Sequence, residues 1–112
     1  KKITWVLTMD RDLILLERQH TEALWESLLV PASEVKMRGN LRLPRKIFLR
    51  SYRVQVSNCH LTVKVWKREC VFDMLTITTR QRIVKKTVIS KVPMPRLLEK
   101  VLKDYDFWPH PS

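Results

Sequence analysis

Leu61-Thr62-Val63-Lys64-Val65-Trp66 places an apolar residue at every second position, inside a basic stretch that runs from Lys36 to Lys91. Alternation of this kind is the signature of a β-strand with one face buried, because successive side chains point to opposite sides. With Leu61, Val63 and Val65 toward a core, Lys64 and Trp66 face outward. Working back, Ile47 to Val56 reads as the preceding strand, with Phe48, Val54 and Val56 on one side and Ser57-Asn58 as the turn. Working forward, Lys67-Arg68-Glu69 reads as a turn. Cys70 to Thr79, apolar on both sides, then reads as a third, central strand. Ile83-Val84 and Val88-Ile89 suit a fourth strand or an irregular arm.

Helical patterns flank this block. Leu13, Leu16, His20, Leu24 and Leu28 fall at helical spacing after a Thr8 cap, with Asp10 and Asp12 in the first turn and Pro31 as the stop. Glu17, Arg18, Glu22 and Glu26 take the other, solvated face. Thr21-Glu22 offers a point where that helix could break. Ile3 to Leu7 reads as an edge strand or an extended lead-in. At the other end, Pro95 suits the first turn of a helix carrying Leu97, Leu98, Val101 and Leu102. The expected fold is therefore α+β. It has an antiparallel three- to four-stranded sheet over about 47–90, an N-terminal helical segment over about 9–30 and a C-terminal helix over about 95–105. The aromatic tail Phe107-Trp108 should pack back on the domain.

The length of 112 residues suits a single small domain over 1–112. A start at Lys1-Lys2-Ile3 without Met suggests a piece of a longer protein. Residues 32–44 read as a linker with its turn at Gly39-Asn40, the only Gly of the chain. That single Gly excludes a Gly-rich phosphate loop. No apolar run approaches the roughly 20 residues of a transmembrane helix. Cys59 and Cys70 are too few for a disulfide framework and read as buried, reduced thiols, which points to an intracellular protein, nuclear or cytoplasmic.

Charge supplies the functional expectation. Residues 36–91 hold fifteen Lys or Arg against two acids, Glu69 and Asp73, so this block carries more positive charge than the net +11 of the whole chain. A segregated positive field favours a polyanionic partner. No catalytic or metal motif accompanies it. His20, His60 and His110 adjoin no nucleophile, Cys59-His60 would point to opposite faces of a strand, and the Cys and His spacings match no zinc site. The expectation is a non-enzyme without cofactor or metal. It would be a module that binds nucleic acid, RNA favoured, through a basic sheet face. Its residues would be Arg45, Lys46, Arg50, Tyr52, Arg53, Lys64, Trp66, Lys67, Arg68, Lys85 and Lys86. The cations would meet phosphates and the rings would stack on bases. The alternative is a protein-interaction module that docks an acidic peptide or forms a homodimer.

Two outlines touch known families. Trp5, Asp10, Asp12, Leu16 and Trp25 resemble the opening of a Myb/SANT repeat over roughly the first 25 residues. Basic loop and then strand stand where that family has a third helix. The order helix, strands, helix resembles a double-stranded RNA-binding domain, whose basic motif opens its last helix. Here Lys85-Lys86 precede Val92-Pro93 and stand before the helix. No residue role is carried over from either family.

Overall fold

The computed structural model describes residues 1–19, 25–39 and 41–110. His20, Thr21, Glu22 and Leu24 of the expected helix, and Asn40 of the expected turn, lie outside them.

The N-terminal helix is replaced by strands. Lys2–Asp10 is β1, Leu13–Arg18 is β2 and Leu29–Pro31 is β3. Arg11 takes a positive φ of 55° and turns β1 into β2. The physical reason lies in Leu13-Ile14-Leu15-Leu16. In a one-sided helix this run would leave neighbours exposed, yet Ile14, Leu15 and Leu16 are all buried. A strand buried on both faces accommodates a continuous apolar run, and such a short run does not distinguish the two conformations by spacing.

Five further strands complete the set: β4 (Lys36–Met37), β5 (Ile47–Val56), β6 (Cys59–Glu69), β7 (Leu75–Thr76) and β8 (Gln81–Lys85). β5 and β6 form the expected hairpin, with Tyr52 opposite Val63 and Val54 opposite Leu61. β6 runs through Lys67 and Arg68 to Glu69, so the expected turn there is strand. Cys70 to Thr79 is not a central strand. It holds a 3₁₀ turn, Phe72–Met74, and the two residues of β7, which pair only with β4. Val88-Ile89 likewise falls in a 3₁₀ segment, Lys86–Lys91.

The main sheet is mixed rather than antiparallel. Its order is β3-β2-β1-β6-β5, with β8 along the other edge of β2. β1 is central, not an edge, and runs parallel to β6 from Lys2 opposite Thr62 to Met9 opposite Glu69. The C-terminal helix stands as expected: α1 is Arg96–Asp104, entered from Pro95. Leu97, Leu98, Val101 and Leu102 of α1 pack on one sheet face with Leu7, Ile14, Leu16, Leu61, Val63 and Val65. Phe107 folds back into this core. The other face is covered at one end only, by a small cluster of Leu15, Ala32, Cys70, Phe72 and Leu75. The Phe72 N–H, donating to Asp10 Oδ2 at 2.9 Å, ties that cover to the β1–β2 turn. The rest of this face, around Lys64 and Thr4, is open.

Candidate functional site

β1 and β2 pair only next to their turn, Met9 with Ile14 and Asp10 with Leu13. Beyond that the two strands diverge, and β2 takes β3 as its partner along the same edge. A cleft of about 500 Å³ opens between the separated strands. Lys1 and the β1 residues Lys2 to Val6 line it together with Glu17, Gln19, Trp25 and the stretch Val30 to Ser33. Lys46 also lines the cleft. This volume is in the range of small-molecule sites.

The walls are polar, charged and aromatic at defined points. Glu17 is the only acid lining the cleft among the described residues. Its carboxylate accepts two hydrogen bonds from Ser33, from the backbone N–H at 2.8 Å and from Oγ at 3.0 Å. That pair fixes the carboxylate and joins the end of β2 to the chain leaving β3. It leaves about two of the four lone-pair positions of a carboxylate unfilled. Trp25 packs its ring on Trp5 at 5.2 Å. The backbone of Trp25 sits at φ 64°, in the left-handed region, which for a bulky residue costs on the order of 1–3 kcal/mol. The Leu28 N–H bond to the Trp25 carbonyl and the Ser27 N–H bond to the Gln19 carbonyl hold that turn closed. Strain held in this way is characteristic of functional positions. Among the described residues no three His, Cys, Asp or Glu side chains gather as a metal ligand set.

The residues expected from the sequence do not form one surface. Lys64 and Trp66 do face away from α1, with Ser51 and Thr4 beside Lys64. Arg53 lies on that face opposite Thr62. Trp66 is half-buried, edge-on to Phe48 at 5.1 Å, and Lys46 Nζ sits 4.7 Å from its ring. Tyr52 points the opposite way, buried against α1. Burial first, and then a hydrogen bond to Asp104, push its hydroxyl pKa well above the tyrosine range. Its ring is therefore not available for stacking on a base. Arg50 lies over that ring at 5.2 Å. Lys67 pairs with Glu69, and Arg68 Nε donates to the Pro44 carbonyl. Arg45 is exposed. Lys85 and Lys86 sit at the end of β8, four strand spacings from β5, or about 19 Å.

The cleft residues Lys2, Glu17, Gln19, Trp25 and Ser33 were missed from the sequence. The helical pattern puts Glu17 on a solvated face, and only the strand pairing brings it to Lys2 and Trp25. Cys59 is exposed, against expectation, while Cys70 is buried, and both are free. No helix among the described residues is long and apolar enough to cross a membrane.

No protein-family model and no curated protein sequence matches the chain. Solved structures do match. The mutator MutT protein from Bacillus halodurans superposes with a TM-score of 0.59 at 11% identity, covering 91% of this chain and 79% of that one. The E. coli ORF135 protein gives 0.52 at 14% identity, covering 95% and 89%. These neighbours overturn the expected RNA-favouring binding module and its protein-docking alternative, because the architecture is not that of a helix-flanked nucleic-acid-binding sheet. The expectation of a non-enzyme falls as well. It rested on the absence of a catalytic or metal motif in the sequence, whereas side chains far apart in sequence, such as Lys2, Glu17 and Ser33, come together in the cleft only through the fold. At these identities the likeness establishes architecture alone: the chain has the fold of MutT-type proteins.

Proposed function

We propose that this MutT-type domain is an enzyme that takes a phosphate-bearing nucleotide as substrate in the cleft between β1 and β3. The observation that carries the reading is a fixed carboxylate sharing a small-molecule-sized cleft with Lys1, Lys2 and Lys46 and the indoles of Trp5 and Trp25. Lys2 and Lys46 supply charge for phosphate oxygens, and Trp25 supplies a flat apolar wall for a base. Gln19 offers hydrogen bonds to the polar edges of such a ligand. Glu17 is the candidate general base, with unfilled lone pairs that could orient a water for hydrolysis. The two free thiols support an intracellular setting.

The test is a panel of nucleoside mono-, di- and triphosphates, with and without a divalent ion. Binding is followed by tryptophan fluorescence and turnover by release of inorganic phosphate. Lys46→Glu should weaken binding at least ten-fold. Glu17→Gln should preserve binding and abolish release. If no nucleotide binds, or if Lys46→Glu binds equally well, the cleft is not a nucleotide site.

A further inference from the structure

We infer that Leu41 to Phe48, together with Arg53, forms a docking surface for an anionic membrane face, separate from the cleft except at Lys46. The sequence Leu41-Arg42-Leu43-Pro44-Arg45-Lys46-Ile47-Phe48 sets apolar residues among cations, and no acid occurs from Leu41 to Arg53. The apolar side chains stay in solvent: Leu41 is 50% exposed, Leu43 37%, Ile47 67% and Phe48 46%. Neighbouring exposed apolar residues mark a surface that meets a partner.

The cations point to the kind of partner. Arg42, Arg45 and Arg53 make no ion pair or hydrogen bond among the described residues, so their charge is not neutralised within the fold. Lys46 and the Phe48–Trp66 ring pair add the aromatic-with-lysine chemistry of a membrane interface. The segment is also held in place. The Pro44 carbonyl accepts from Arg68 Nε at 3.0 Å, which anchors the chain to β6.

Two partners could supply negative charge, an acidic peptide and a lipid surface. β5 is an edge strand, so a peptide could in principle add to it. The register shift between Phe48 and Arg50 breaks that edge where the apolar and basic residues concentrate, and bulges protect edges against strand addition. A lipid surface needs no strand register. It takes the apolar side chains into its headgroup region while its charge attracts the arginines.

Co-sedimentation with vesicles decides the matter. The chain should pellet with equal parts phosphatidylcholine and phosphatidylserine, stay in solution with phosphatidylcholine alone, and be released by salt. Leu43→Glu with Ile47→Glu should lower partitioning at least ten-fold, with the melting curve unchanged because both side chains are exposed. Arg42→Ser with Arg45→Ser, which keeps the apolar residues, should also lower it and provides a second route if the first pair misfolds. The inference fails if the chain does not pellet with the acidic vesicles, or if neither pair of changes alters partitioning. It also fails if soluble polyglutamate binds the wild type and the Leu43→Glu/Ile47→Glu variant equally and strips both from vesicles. That result would make charge alone the determinant.

Discussion

Tyr52 Oη donates a 2.8 Å hydrogen bond to Asp104 Oδ2, tying the edge strand β5 to the last residue of α1. Both groups matter because the ring is buried while the carboxylate reaches solvent. Tyr52→Phe keeps the ring and removes the bond. A hydrogen bond to a charged group is worth about 1.5–3 kcal/mol, and exposure of Asp104 puts the expected loss at about 1 kcal/mol. Its sign with pH is fixed. The folded state holds the phenol neutral, since burial and then Asp104 raise its pKa. This contribution is full below the unfolded-state value of about 10 and is lost as pH rises above it. Urea titrations at neutral and strongly alkaline pH should show the gap between wild type and Tyr52→Phe narrowing at the alkaline end. A gap that widens there would refute the assignment.

Thr8 is fully buried, and its hydroxyl has no partner among the described residues. An unsatisfied buried polar group costs about 1–3 kcal/mol. Thr8→Val keeps the branched shape without the hydroxyl and should stabilise the fold by about 1 kcal/mol, raising the melting temperature by several degrees. A lower melting temperature would mean that the hydroxyl is satisfied.

The two thiols should separate in rate. Cys59 is exposed at the start of β6, whereas Cys70 is buried and its pKa is raised, chiefly by burial and also by Asp10, against the opposing charge of Arg68. One equivalent of a thiol reagent should react quickly in the native state and the second only in denaturant. Mass spectrometry should place the fast adduct on Cys59.

Ser33→Ala tests the carboxylate clamp. The backbone N–H of Ser33 still holds Glu17 at 2.8 Å, so the loss of the exposed Oγ contact should cost less than about 1 kcal/mol of stability. Turnover of a bound nucleotide should fall more than affinity, because Glu17 loses orientation rather than charge. An equal fall in both would assign Ser33 to binding.

Much of the hairpin and of the last helix was legible in the sequence. Leu61, Val63 and Val65 alternate because one face is buried and the other is not. Leu97, Leu98, Val101 and Leu102 repeat at helical spacing because α1 presents one stripe to the sheet. Leu13 and Leu16 also fit a helical spacing, but Leu13 to Leu16 is a continuous apolar run because both faces of β2 are covered, and that run carries no period of its own. The cleft was unreadable for a related reason. Lys2, Glu17 and Ser33 meet only through the divergence of β1 from β2, which no local pattern encodes. The cluster of charge was visible, but the direction of each cation was not. The register shift near Phe48 and the burial of Tyr52 decided which side chains share a face.

Pairing of β1 with β6 joins each residue to one sixty positions later, Lys2 to Thr62 and Met9 to Glu69. Contacts that distant in sequence slow folding, since a long loop must close before they form. On the ribosome, β1 emerges before β6 and stays without its parallel neighbour until β6 has been made. During that interval Trp5, Leu7 and Met9 are an uncovered apolar strand. The interval between the synthesis of β1 and that of β6 is therefore one in which this apolar strand is open to wrong partners.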